Sequence, residues 1–381
     1  MKWCVFFLIL LLLAPIVPAV VSTEEIAAVR ARAETASELS EQDKAGIDKF
    51  LLSALNGIFL AEKSEEMVKT RRQIVEQKGT KPLSLYATAY LTVLRDRLGA
   101  SAQVIGRIED PARRQMVHRN LAILTAELQS VILVDFGVQW AQDPDPVVRY
   151  WAVKSIADPV IAQQLDSEVT ANPEAAQKIF ETLQTVIQNE PLQEVLALTA
   201  GFSAAWQDTR SAQLLERLTA RRLEDYNQCR EKTAWLDNRI LRALAEKYAA
   251  QKLAEEKTAT GRRFALLLAA VMQRWIQNEA AGGKGLSEEA RSQLITTLVE
   301  TEDRLLPKLE APAPGIRRVL ERGGGLQPVY EDLMGTTSRR GTLATRLGID
   351  FGRDSEGRSL TIPPVLPVCS SVPPAVPAGQ G

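Results

Sequence analysis

Residues 143–156 read Asp143–Pro144–Asp145–Pro146–Val147–Val148–Arg149–Tyr150–Trp151–Ala152–Val153–Lys154–Ser155–Ile156. Two acid–proline steps precede a segment whose Val148, Ala152 and Ile156 recur every fourth position, the spacing of one helical face. An aspartate at a helix N-cap accepts amide hydrogens that the first turn leaves without partners, and a proline at the first helical position has no hydrogen bond to lose. The stretch therefore predicts a helix that starts near Pro146 and has one face to bury.

The same punctuation recurs at Asp110–Pro111, Asp158–Pro159, Asn172–Pro173 and Glu190–Pro191. Between these starts run apolar stripes of helical period. Ile47, Phe50, Leu51, Ala54, Leu55, Ile58 and Phe59 form one, with Ser40 and Asp43 in N-cap spacing ahead of it. Leu85, Tyr86, Ala89, Tyr90, Val93, Leu94 and Leu98 form the next, and Met116, Val117, Asn120, Leu121, Leu124, Leu128, Val131 and Ile132 another. Later stripes pass through Ile179–Ile187, Leu214–Leu218, Ile240–Leu244, Leu267–Ile276 and Leu294–Leu305. No Asn-Gly or Asp-Gly turn joins alternating segments, so strands are not expected. The fold class predicted is all-α, about a dozen helices arranged either as stacked hairpins in a short solenoid or as an irregular bundle.

Within this pattern, residues 143–156 resemble the second helix of a HEAT-type repeat, on Asp143, Pro144, Pro146, Val148, Arg149, Ala152 and Ile156. The resemblance implies that the small Ala152 lets a neighbouring helix approach. It also implies that Arg149 reaches a turn carbonyl or an acidic side chain of the adjacent repeat. A fainter copy follows 45 residues later, with Pro191 matching Pro146 and Ala197 matching Ala152, although Glu194 replaces the arginine and Gly201 the isoleucine. A period of about 45 lies in the range of such arrays.

At the N-terminus, Lys2 precedes an apolar run from Val5 to Ala14, and Pro15, Pro18, Ala19 and Ser22 follow. A charged start, a short apolar stretch and small residues form the pattern of a secretory signal. Cleavage after Ala19 or Ser22 is the expectation, with an uncleaved N-terminal anchor as the alternative. The longest later apolar run, Phe264–Met272, is about half of what a bilayer requires. At the other end, nine of 19 prolines and eleven of 22 glycines lie from Pro312 onward. That density of backbone breakers predicts a flexible, disordered tail, with short ordered pieces near Ile316–Leu320 and Val329–Met334. The expected organisation is a signal peptide at 1–22, an N-terminal helical region at 23–105, a HEAT-like region at 106–310 and a Pro/Gly-rich tail at 311–381.

The chain of 381 residues carries a net charge of −1, and this balance offers nothing to nucleic acid. His118 is the single histidine and lies mid-helix, which leaves no imidazole cluster for zinc and no strand–turn–helix elbow for a serine triad. Asp143 and Asp145 are not followed by the ladder of a calcium loop. Gly282–Gly285 lacks the spacing of a phosphate loop. Catalytic, cofactor-binding and metal-binding residues are therefore none. Cys229 and Cys369 are the cysteines that remain after the leader, and the sequence leaves open whether they pair. Trp140, Trp151, Trp206, Trp235 and Trp275 are spread one per segment and are expected in helix packing. The expected function is an exported helical-repeat protein acting as a protein-binding or scaffold module of the cell envelope, periplasmic or extracellular. Its partner would be an envelope protein, and membrane contact would come only through an uncleaved N-terminus. The alternative is an extracytoplasmic helical enzyme that uses paired carboxylates on a glycan-type substrate.

Overall fold

The structure is a computed structural model that describes residues 23–33, 35–79, 84–167, 172–231, 233–353 and 356–369. The segment read as a signal peptide and residues 370–381 lie outside the described residues. Among the described residues the fold is all-α, with one hairpin of two-residue strands, β1 Gly335–Thr336 and β2 Arg339–Arg340. No described helix is long and apolar enough to cross a membrane. The chain divides into two compact units at Phe136/Gly137.

The first unit contains α1 (Thr23–Ala33), α2 (Glu41–Leu60), α3 (Ser64–Gln77), α4 (Leu85–Ile105) and α5 (Pro111–Leu128). Ser40 caps α2 by accepting the Asp43 amide at 3.1 Å, and Asp110 caps α5 by accepting the Ala112 amide. Of the α2 stripe, Ile47, Phe50, Leu51, Leu55 and Ile58 are buried, as are Tyr86, Tyr90, Leu94 and Leu98 of α4, on which α2 packs, whereas Ala54, Phe59, Ala89 and Val93 are half-buried and Leu85 is exposed. Each buried tyrosine finds an acceptor for its hydroxyl: Tyr90 donates to the Ile74 carbonyl and Tyr86 to that of Gln77. The boundary expected at 105/106 moves to 136/137, because α5 packs on α3. Arg71, almost wholly buried, donates to Asn120 at 2.6 Å and to Glu127 at 2.9 Å, both on α5, and Lys78 donates to the Leu128 carbonyl.

The second unit begins within α6 (Val134–Trp140) and continues through α7 (Pro146–Ile156), α8 (Pro159–Asp166), α9 (Pro173–Asn189), α10 (Gln193–Ala205), α11 (Thr209–Asn227), α12 (Trp235–Ala250), α13 (Ala254–Ala280) and α14 (Glu288–Glu300). From α7 onward the helices form two layers. One is the series α7, α10, α12 and α14, each packed on the next; the other is α9, α11 and α13. Consecutive helices of opposite layers pack as hairpins, so each added pair buries the apolar face of the one before it.

The burial pattern makes the repetition explicit. In α7 the buried positions are Val148, Ala152, Val153, Ser155 and Ile156. In α10 they are Val195, Leu196, Thr199, Ala200, Phe202 and Ser203, and in α12 they include Leu236, Ile240, Leu241, Ala243 and Leu244. Five buried positions keep the α7 spacing in all three helices, stepping 47 residues from Val148 to Val195 and 41 from Val195 to Leu236. The copy expected at a step of 45 is thus out of register. Thr199, wholly buried, takes the place of Ala152, whereas Ala197 is only half-buried and Gly201 is exposed. A threonine and a serine at interior positions conceal the pattern from a search for apolar residues. Ser203 returns its hydroxyl to the Thr199 carbonyl one turn back and so remains compatible with burial.

Structure continues past residue 310. Helices α15 (Ile316–Glu321), α16 (Gln327–Met334) and α17 (Thr342–Leu347) follow, the last two packed on α13. Ile316, Leu326, Leu333, Met334, Leu343, Ile349 and Phe351 are buried. Within the region read as a flexible tail from 311, these elements order the described residues up to Cys369, including the pieces expected near Ile316–Leu320 and Val329–Met334. Its glycines close elements instead of dissolving them. Gly323 takes a φ of +64° after α15, and its amide and that of Gly324 return to the carbonyls of Leu320 and Val319, the Schellman arrangement. Glu302 fixes the start of this region: its buried carboxylate accepts the backbone amides of Gly315, Ile316 (2.9 Å) and Arg317 (2.7 Å).

Candidate functional site

The sequence-predicted residues come together as one turn. Asp145 caps α7 by accepting the Val147 amide at 2.9 Å, and Asp143 accepts the Asp145 amide at 2.8 Å. Pro146 occupies the first helical turn, and Val148, Ala152 and Ile156 are wholly buried. Arg149 folds back on the turn. One terminal nitrogen donates to the carbonyls of Asp143 (2.9 Å) and Pro144 (3.1 Å), and its Nε donates to Glu190 at 2.7 Å. Glu190 closes α9 and its side chain is 3% exposed; it also accepts the Leu192 amide at 2.9 Å, while its carbonyl accepts from Arg221 of α11. The hydrogen bond to Glu190 raises the Arg149 pKa further above its ordinary value. One ion pair thus ties α7 to the α9–α10 turn and, through Arg221, to α11. Close approach also occurs at Gly137 of α6, where an added methyl would lie 2.4 Å from Ile156 and Ser155.

A second cluster lies between α11 and α12 and has no counterpart in the sequence reading. Arg222, Asp237 and Tyr226 are buried together. Arg222 donates to both carboxylate oxygens of Asp237 at 2.5 and 2.9 Å and to the Thr233 carbonyl, and Tyr226 donates to Asp237 at 2.8 Å. Burial opposes the Arg222 charge, but the facing Asp237 carboxylate outweighs it and raises the pKa. Glu231 forms an ion pair with Arg274 of α13, and burial pushes the Glu231 carboxyl above its usual range. Within this loop Cys229 has a left-handed backbone (φ +55°) at the position where a helix ending of this kind favours glycine: its amide bonds the Tyr226 carbonyl, and that of Arg230 bonds Asp225.

Cys229 is joined to Cys369 by a disulfide, with Cα atoms 5.6 Å apart. The chain arrives there as an extended strap over 361–369 along α13. Gln273 donates to the Pro364 carbonyl (3.0 Å) and to the Tyr330 hydroxyl (2.8 Å), and accepts the Leu366 amide (2.7 Å). Gln277, one turn on, donates to the carbonyls of Leu366 and Pro367. Pro363 and Leu366 are buried while Pro364, Val365, Pro367 and Val368 are exposed, the threefold alternation of a polyproline helix. Two glutamines at i and i+4 were the one signal of this docking, and such pairs are common on solvated helices.

A cleft of about 500 Å3 opens beside the starts of α11 and α13, lined by Asp208, Ala212, Lys247, Leu253, Glu256 and Arg263 among others. Lys247, nearly buried at its floor, donates to the Trp206 carbonyl and to Ser211 Oγ, both at 2.6 Å, and burial lowers its pKa. Asp208 is held by Arg210, whose hydrogen bond lowers its pKa. Lys247 and Asp208 thereby fix the turn at residues 206–211. Among the described residues no group of three or more potential ligands is placed to hold a metal ion.

Compared with known protein families, with curated proteins and with solved structures, the chain matches none.

Proposed function

We propose that this protein is an exported helical-repeat scaffold whose second unit binds a protein partner in the cell envelope. The observation that carries the reading is the recurrence of one burial register in α7, α10 and α12 within a two-layer stack, since stacked helical hairpins present extended surfaces on successive pairs. The motif at 143–156, with Arg149 reaching both its own turn and Glu190, supports a HEAT-type relationship. Export is supported by the leader pattern at residues 1–22 and by the pairing of Cys229 with Cys369, because disulfides persist in oxidising compartments.

Two measurements test it. An alkaline phosphatase fusion after residue 369 reports export, and an inactive fusion refutes the envelope assignment. In-cell crosslinking with mass spectrometry should place reproducible intermolecular crosslinks on the second unit. A protein that remains monomeric and uncrosslinked in its native envelope refutes the scaffold role.

A further inference from the structure

The 361–369 strap has few means of holding itself down. Of its apolar residues only Pro363 and Leu366 are buried; Val365 is 81% and Val368 82% exposed. Its remaining attachments are the amide hydrogen bonds of Gln273 and Gln277. Set against the entropy of ordering nine residues, this is a weak hold. Upstream the chain is independently fixed. Phe351 is buried, its amide bonds the Leu360 carbonyl and the Leu360 amide returns to Gly352, so the strap can lift from residue 361 onward without disturbing what precedes it. At its far end the disulfide lies at the surface, with Cys229 exposed and Cys369 half-exposed.

We propose that the Cys229–Cys369 disulfide is an exchangeable latch, opened by a dithiol of the thiol–disulfide exchange class, and that opening it releases the strap and uncovers Gln273 and Gln277 of α13 together with Tyr330 of α16. The thiolate of the dithiol attacks Cys369 Sγ and expels Cys229 as thiolate, which takes up a proton. The second thiol of the donor then displaces Cys369, which is protonated in turn. The donor leaves as a disulfide, having given two electrons and two protons. Closing the latch is the reverse reaction with an oxidised partner.

The full chain is treated with dithiothreitol under native conditions, and alkylation of the two cysteines is counted while hydrogen exchange of individual amides is followed. Both cysteines should react. The Leu366 amide, which donates to Gln273, should lose about a hundredfold or more of its protection. The amides of Leu360 and Ile349 and the far-ultraviolet circular dichroism should stay unchanged. The double variant C229S/C369S should reproduce the loss at Leu366 without reductant. The proposal is overturned if the native disulfide resists dithiothreitol, if Leu366 retains its protection in the reduced protein or the double variant, or if reduction unfolds the helical body as a whole.

Discussion

Arg149→Ala is the sharpest perturbation of the two-layer helical stack. The substitution deletes donors to two carbonyls of its own turn, which water can replace because Arg149 itself is partly exposed. It also strands the Glu190 carboxylate, which is 3% exposed and keeps only the Leu192 amide at 2.9 Å. Removing one partner of a buried ion pair costs about 3–5 kcal/mol, most of it the cost of the abandoned charge, whereas an exposed pair is worth less than about 1 kcal/mol. The lower figure corresponds to about 6–12 °C in the melting of a unit of this size. Urea unfolding of the full chain, followed by circular dichroism in the transition of the second unit, measures it. Arg149→Met with Glu190→Leu supplies the cycle: removing both charges should recover about 2 kcal/mol or more relative to the sum of the single losses. The coupling should also survive high salt, since a buried pair is poorly screened. A loss below about 0.5 kcal/mol for Arg149→Ala, or strictly additive single variants, would refute the claim that this pair fastens α7 to the α9–α10 turn.

Three further outcomes follow from other contacts. Gly137→Ala should lower stability by about 1–3 kcal/mol through overpacking against Ile156 and Ser155, although alanine is the better helix former by about 1 kcal/mol; a stabilised variant in urea unfolding would show that α6 can move away. Glu302→Ala orphans the amides of Gly315, Ile316 and Arg317 and should cost about 2 kcal/mol, with the loss of exchange protection concentrated at Ile316 and Arg317; uniform protection would contradict this anchor. Glu300 is opposed by burial, but Asn238 and Arg242 hold its carboxyl below the ordinary value. A carboxyl depressed on folding contributes stability that is present above its unfolded pKa, about 4.3, and disappears as pH falls through the folded value. Glu300→Gln should therefore be less stable than the parent at pH 7, with the gap closing on acidification below about pH 4; a gap independent of pH would show that the effect is not electrostatic.

What the sequence made legible was local. Capping and period suffice to place helices, because Ser40 with Asp43 and Asp145 with Val147 are contacts within one turn. The motif at 143–156 was readable for the same reason: its arginine bonds carbonyls five and six residues away, and only its second partner, Glu190, is remote. The array register was not legible, since Thr199 and Ser203 occupy interior positions that a hydrophobic pattern passes over, and helix length varies the step between copies. The ordered pieces after 311 were only partly legible, for a physical reason. Gly323 and Pro363 mark chain that is not helical, and such chain still folds when other elements supply its hydrogen bonds: the carboxylate of Glu302 for the amides at 315–317, and the amides of Gln273 and Gln277 for the strap.

The position of the disulfide follows from this economy. A strap that exposes Val365 and Val368 contributes little burial of its own, and a cross-link at its end supplies what the absent burial does not. The partner cysteine stands at a left-handed residue whose loop is braced by Arg222 with Asp237 and by Glu231 with Arg274, so Cys229 presents its sulfur from a fixed backbone. Helix α13 is thereby covered by the strap and by α16 and α17, and among the described residues the strap is the segment held at its end by a disulfide, a bond that thiol exchange can open.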